Sequence, residues 1–255
     1  METIELKNFP WNEYRSRSYL DGSEANIYVS FDSRKLLKKF KKCILINSLE
    51  NKSKKLLQLS EISDLQDIYP NINSFLYDED QFIGYIMDYY KGYPLDELML
   101  TFEEKVILLK DLKEKILRLK NKNIYYFDLH FDNILCFKQE DTLETKLIDI
   151  DNIQINHYKC DTISFLLEEY LKLGGKIDQN ALIYIFNMMS YSLLVNCYQL
   201  EINCLKENSK QTFLDKKVQD ICNDLLTSHM DSLCDHEFLI DFIEHDDYGN
   251  KILLK

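Results

Sequence analysis

Three features of the sequence predict an α+β fold. Short apolar and β-branched runs, broken by turn residues, fill much of the first 90 positions. A capping signal at Thr101 opens an amphipathic helical pattern, and beyond Asp161 apolar residues recur mainly at helical spacing. Strands first and helices after them are the mark of segregated layers, in contrast to an alternating α/β chain.

Residues 17–40 suggest three short antiparallel strands. Tyr19 lies in the first, Asp21-Gly22-Ser23 turns into Ile27–Val29, and Asp32-Ser33 turns into Leu36-Leu37. Residues 48–60 are expected to be helical with Leu49, Leu56, Leu57 and Leu59 inward. Two strand-like runs follow, Ser74–Tyr77 and Phe82–Tyr90, on either side of Asp78-Glu79-Asp80. Thr101-Phe-Glu-Glu104 is a capping box, and Phe102, Val106, Leu109, Leu112, Ile116 and Leu119 carry the helical stripe through Lys120. Strands at 134–138 and 145–150 should form a hairpin around the polar stretch Gln139–Glu144. An Asp161-led helix ends at Gly174-Gly175, and further helices are expected near 179–200, 211–228 and 236–245.

The chain of 255 residues is long enough for one large domain or two lobes. Its 43 acidic against 31 basic residues give a net charge of −12, which disfavours a general nucleic-acid binder, because that affinity comes largely from Lys and Arg. Seven cysteines, at 43, 136, 160, 197, 204, 222 and 234, form no C-x-x-C pair and suggest reduced thiols in a cytoplasmic protein. No signal peptide and no membrane span are expected. His229, Cys234, His236 and His245 fit no zinc spacing.

The chemistry concentrates in Tyr126-Phe-Asp-Leu-His-Phe-Asp-Asn133 and in Lys146-Leu-Ile-Asp-Ile-Asp151. Asp128 and Asn133 stand five positions apart, and Asp149 comes sixteen after Asn133, across the hairpin. Two carboxylates and an amide on loops joined in this way have the chemistry to orient a hydroxyl and bind Mg²⁺, a hard cation that prefers oxygen ligands. Taken singly, each is as well explained as a loop cap.

The joint pattern resembles the catalytic and metal loops of the protein-kinase-like superfamily, H-R-D-x-x-x-x-N followed by D-F-G. Its form Asp128-Leu-His-x-x-Asn-Ile-Leu135 also resembles small-molecule kinases of the aminoglycoside and choline type. The resemblance spans about residues 17–172. It implies a two-lobed fold, with a small antiparallel β lobe over residues 1–90 and a larger, mainly helical lobe over 91–255. ATP and Mg²⁺ would bind between the lobes. By the same resemblance Lys38, at the end of Leu36-Leu-Lys-Lys-Phe40, would meet the α- and β-phosphates, with Glu50, or alternatively Glu61, orienting it. Gly22 would lie in the phosphate loop. Met87, Asp88 and Tyr89 would form the adenine-side hinge, with the lobe boundary near 88–92. Asp128 would orient the acceptor hydroxyl, His130 would stand near the transferred group, and Asn133 and Asp149 would hold Mg²⁺. The implied activity is phosphotransfer from ATP, first to Ser or Thr of a protein. The alternatives are a small-molecule acceptor, a pseudokinase that binds partners, and transfer of AMP.

Departures from the pattern are equally specific. Leu20 and Ala25 replace two loop glycines, and Phe127 replaces the Arg of H-R-D. Asp151 takes the Gly position of D-F-G, where it either adds a metal ligand or faces solvent. Asp161 comes only twelve positions after Asp149, and no A-P-E motif appears. Asp161 is expected either to cap the catalytic loop or to serve as a plain helix N-cap.

Overall fold

A computed structural model describes residues 2–139, 142–161, 164–172 and 174–194. In chain order its strands and helices are β1 (Glu2–Glu5), β2 (Tyr14–Ser16), β3 (Ala25–Ser30), β4 (Lys35–Phe40), α1 (Ile46–Ser60), β5 (Ile72–Asp78) and β6 (Gln81–Asp88). They continue as β7 (Tyr93–Pro94), α2 (Phe102–Asn121), β8 (Ile124–Tyr125), β9 (Ile134–Gln139), β10 (Thr142–Leu147), β11 (Gln154–Ile155), α3 (Phe165–Lys172) and α4 (Gln179–Leu194). The fold is mixed α+β. The expected segments at 211–228 and 236–245, and the four His and Cys residues from His229 to His245, lie outside the described residues.

The chain divides into two compact units. The first joins residues 1–92 to 146–161. It is built on a six-stranded sheet in the order β1-β5-β6-β4-β3-β2, with β1 parallel to β5 and the other pairs antiparallel. Strand β1 was not expected from the sequence, and Tyr19 falls in a 3-10 turn (Ser18–Leu20) while the strand beside β3 is Tyr14–Ser16. Helix α1 turns Leu49, Leu56 and Leu59 inward, but Leu57 is exposed. The opposite sheet face buries Phe9, Leu37, Leu76 and Ile86, with Ile4, Leu6 and Tyr14 packed on them. The N-terminal segment therefore supplies the cover for that face.

A register shift lies between Leu76 and Tyr77, which pair with Gly84 and Phe82. It brings the Phe82 ring to 5.8 Å from Phe40, on the side where Tyr85 also meets Phe40 at 6.2 Å. Gly84 is required here: a Cβ would come within 2.5 Å of the Lys38 carbonyl oxygen. The returning segment is tied into this unit by its backbone and by Lys146. The Leu147 N–H donates to the Ile68 carbonyl at 2.8 Å, and Lys146 Nζ donates to the carbonyls of Gln66 and Asp67.

The second unit comprises residues 93–145 and 162–255, of which the described part ends at Leu194. Helix α2 opens with the capping box read from the sequence, Thr101 and Glu104 bonding reciprocally. It buries Leu108, Leu109, Leu112, Ile116 and Leu119. Asp111 on the same helix accepts from the Thr145 N–H and hydroxyl and from Lys115 Nζ, at 2.7–2.8 Å. That ties the second half of β10 to α2. The strand itself ends at Leu147, not at residue 150. Helix α3 begins after Ser164, whose Oγ accepts from the Leu167 N–H at 3.3 Å, so Ser164 and not Asp161 caps it. Gly174, at φ +94°, takes the left-handed turn that ends α3, and the Gly175 N–H donates to the Tyr170 carbonyl.

Candidate functional site

Strand alternation decides which way each lysine of β4 points. Lys38 sits opposite Tyr85 in the β4–β6 register, on the same face as Phe40, and is buried. Lys39 points the other way, its Nζ 5.1 Å from the centre of the Trp11 ring. Two carboxylates of the returning segment meet Lys38. Its Nζ donates to Asp149 Oδ1, and to Asp151 Oδ1 at 2.6 Å.

The backbone splits these two carboxylates between different environments. Asp149 adopts the left-handed conformation (φ 62°, ψ 37°) just before a 3-10 turn over Ile150–Asn152. Asp is one of the few residues other than glycine that visits this region routinely. Its side chain stays 41 % exposed, whereas that of Asp151 is 1 % exposed. Asp151 therefore does not face solvent. It is saturated by protein donors: Lys38, Lys52 at 2.9 Å and the Tyr85 hydroxyl at 2.9 Å.

Helix α1 contributes cations to this centre. Lys52 and Lys55 share its buried face with Leu49, Leu56 and Leu59. Besides Asp151, Lys52 pairs with Glu24 at 3.0 Å and lies 3.7 Å from Asp161. Lys55 pairs with Asp161 at 3.2 Å, which accounts for Asp161 in place of the expected cap. Glu50, expected to orient Lys38, is exposed on the outer side of α1, as is Glu61 at its end, and the carboxylates on Lys38 are Asp149 and Asp151. The helical period explains the correction: position 50 falls outside the buried stripe, and position 52 falls inside it.

The charges shift one another's protonation. Burial works against each charged form here, but is outweighed at three of the four groups. It would lift Asp151, yet the charges of Lys38 and Lys52 hold its carboxyl far below the usual range. Burial would lower Lys38 and Lys52, yet the carboxylates of Asp149 and Asp151 raise the first, and Asp151 with Glu24 raises the second. Lys55 is the exception, because burial and the neighbouring Lys52 prevail over Asp161 and its ammonium is lowered.

The expected adenine-side residues lie on the same unit. Met87 is buried in β6. Asp88 accepts from Lys35 at 2.7 Å, Asn71 at 2.9 Å and Asn73 at 3.0 Å, and these donors hold its carboxyl below the usual range against the effect of burial. The backbone N–H groups of Asp88 and Tyr89 donate to Asn71 and Arg34 carbonyls, so the hinge amides expected for base recognition are already engaged there. Gly22 lies in the turn before β3, its carbonyl accepting from Lys41 Nζ at 2.7 Å. Nothing lies within 4 Å of where its Cβ would stand.

The second unit carries the other predicted group. Tyr126, Phe127 and Leu129 are buried on either side of Asp128, and their packing anchors the loop. Ser164 Oγ donates to the Phe127 carbonyl at 2.7 Å. A 3-10 turn, Phe131–Asn133, then brings Asn133 back onto Asp128. Asn133 Nδ2 donates to the Asp128 carbonyl at 3.0 Å and to its Oδ2 at 3.4 Å. With the amide nitrogen directed at Asp128, the amide oxygen is the atom suited to a cation. His130 Nε2 lies 3.9 Å from Asp128 Oδ1, and its Nδ1 lies 3.5 Å from Asp132 Oδ2.

Among the described residues no group of three or more His, Cys, Asp or Glu side chains is gathered to hold a metal. Mg²⁺ commonly takes only one or two protein oxygens and completes its shell with water and phosphate. Asp149 on the first unit and the Asn133 amide oxygen on the second are each oxygen donors of the kind such an ion takes. Lys52, Asp151 and Tyr85 were missed from sequence as members of the Lys38 centre. The available signal was a pair of lysines, 52 and 55, inside the apolar stripe of a helix. Among the described residues, no helix is long and apolar enough to cross a membrane. Compared with known proteins, the sequence matches no family model and no curated protein.

Proposed function

We propose that this protein is an ATP-dependent phosphotransferase with a two-lobed, protein-kinase-like fold. One observation carries the proposal: Lys38, buried on a strand, is ion-paired to Asp149, 111 positions later in the chain, at the end of a β-hairpin. A fixed ammonium next to a half-exposed carboxylate is what a magnesium nucleotide requires, one group for phosphate oxygens and one for the metal. When bound, the nucleotide supplies the phosphoryl group and Mg²⁺ neutralises its charge.

The chain's own residues would do the following. Lys38 would bind the α- and β-phosphates, Asp149 and the Asn133 amide oxygen would hold the metal, and Asp128 would orient the acceptor hydroxyl and receive its proton. Asn133 fixes the Asp128 loop through both of its hydrogen bonds, which supports that orienting role. His130 would stand at the acceptor side of Asp128.

The first acceptor class is a Ser or Thr hydroxyl of a protein. A small-molecule hydroxyl is the second, and the short passage from Asp149 to α3 favours it, since among its described residues the regular elements are a 3-10 turn and the two-residue β11. Incubation with γ-labelled and α-labelled ATP, with cell extract separated into macromolecules and small molecules, tests the proposal. Transfer of γ label to macromolecules selects a protein kinase, and transfer to small molecules selects the second class. Transfer of α label selects AMP transfer. No transfer in any fraction refutes phosphotransfer.

A further inference from the structure

We infer that Asp151, clamped by Lys52 and Tyr85, is the residue that positions Lys38, so that the lysine is aimed without any acid from helix α1; this rests on the phosphotransferase proposal above. The inference starts from the two carboxylates on Lys38. Asp149 is the more exposed, and it is the one assigned to the metal. A divalent cation held by Asp149 would compete with the Lys38 ammonium for that carboxylate. Were Asp149 its sole counter-charge, Lys38 would then be a buried, unpaired cation, a costly state.

Asp151 removes that difficulty. Its side chain is 1 % exposed and receives three protein donors from three different elements: Lys38 of β4, Lys52 of α1 and Tyr85 of β6. Lys38 and Tyr85 face each other in the strand register, so both reach the carboxylate from one side of the sheet. Lys52 reaches it from the helix, with its own side chain wholly buried. Were the Asp151 carboxylate to turn away while a metal held Asp149, Lys38 would lose both of its carboxylates, and Lys52 would keep only the partly exposed Glu24 and the more distant Asp161. Asp151 therefore remains with Lys38 when Asp149 is taken by the metal. Helix α1 presents a cation here, not an acid, and Asp151 stands between two like charges that would otherwise repel.

The test uses the full chain and five variants: Asp151→Asn, Tyr85→Phe, Glu50→Gln, Lys52→Met and the charge-balanced double variant Lys52→Met/Asp151→Asn. Without nucleotide, the rate at which a water-soluble amine-acylating reagent labels Lys38 is read by peptide mass spectrometry, with exposed Lys54 as the internal reference. Labelling of Lys38 relative to Lys54 should rise at least fivefold in Asp151→Asn and in the double variant, rise about twofold in Tyr85→Phe and Lys52→Met, and stay unchanged in Glu50→Gln. The dissociation constant for Mg·ADP should rise at least tenfold in the double variant, while that for adenosine, which has no phosphate, stays within twofold. General structural damage would weaken both ligands alike.

The double variant retains charge balance, so it serves if Asp151→Asn does not fold. An unchanged Lys38 labelling ratio in the double variant overturns the inference, as does a fivefold rise in Glu50→Gln. Absence of Mg·ADP binding by the unmodified chain defeats the phosphotransferase proposal, while the labelling ratio still decides whether Asp151 anchors Lys38.

Discussion

Replacing Lys52 by Met should destabilise the protein by about 3 kcal/mol, because it removes a charge from a dry cluster while keeping the length of the side chain. The size follows from the three carboxylates that Lys52 serves. Glu24 is 30 % exposed and can turn to water, and Asp161 retains Lys55 at 3.2 Å. The cost therefore falls on Asp151, which at 1 % exposure has no solvent to turn to. Breaking a buried ion pair by removing one partner costs roughly 3–5 kcal/mol. The lower end applies because Asp151 keeps Lys38 at 2.6 Å and Tyr85 at 2.9 Å. For a chain of this length about 3 kcal/mol corresponds to a fall in Tm of about 6–12 °C. Urea unfolding followed by circular dichroism, with the slope against denaturant compared between the proteins, measures it. A loss below about 1 kcal/mol at unchanged slope would refute the reasoning, since Lys52 would then be dispensable to Asp151.

Other outcomes are expected of the same chain. At a hundredfold excess over its dissociation constant, a non-hydrolysable Mg·ATP analogue should stabilise the protein by about 2.7 kcal/mol. Asp149→Asn should abolish most of the resulting rise in Tm, and a full rise in that variant would remove Asp149 from the metal site. Asp128→Ala should leave nucleotide affinity within twofold while lowering turnover by about 10²–10⁴-fold; turnover at the unmodified rate would end its role as the group that receives the proton. Asp88 and Asp151 have depressed carboxyl values in the folded chain. The stability they contribute is complete above their unfolded value of about 3.9 and is lost as pH falls below it toward the folded values. The urea midpoint should therefore decline between pH 5 and pH 3, and Asp88→Asn should decline less steeply than the unmodified protein. An equal slope in both would mean that the Lys35–Asn71–Asn73 cluster contributes nothing to acid sensitivity.

The α+β class and the places of α1, α2, β3, β5 and β6 were legible because they depend on short-range pattern. Thr101 and Glu104 announce α2, and alternation around Ile27, Tyr28 and Val29 announces β3. Strand β1 gave no such signal: four residues, Glu2–Glu5, are made a strand by parallel pairing with β5 some 70 positions away. The expected strand at Tyr19 failed for a related reason. The strand pairing with β3 is Tyr14–Ser16, and Tyr19 is left in a 3-10 turn.

At the candidate site, residue types in a recurring order drew attention to Lys38, Asp128, Asn133 and Asp149. The partners of Lys38 could not be read in that way. Glu50 had the right chemistry on the wrong side of the helix, and Lys52 had the position but a charge opposite to expectation. A lysine within a leucine stripe reports a buried anion, yet the sequence does not say which of 43 acidic residues supplies it. Asp151 looked like a spare carboxylate until its three donors were in view.

The first unit is discontinuous in the chain, and this bears on how the protein is made. Ribosomal synthesis releases the whole six-stranded sheet and α1 well before residues 146–161 emerge. Until then Lys38, Lys52 and Lys55 lack the aspartates that neutralise them, at separations of 99 to 113 positions for the Asp151 pairs. A nascent chain that has reached only Gly92 should therefore hold an open, hydrated sheet, which closes once further synthesis lets the hairpin bring Asp149 and Asp151 back to their lysines.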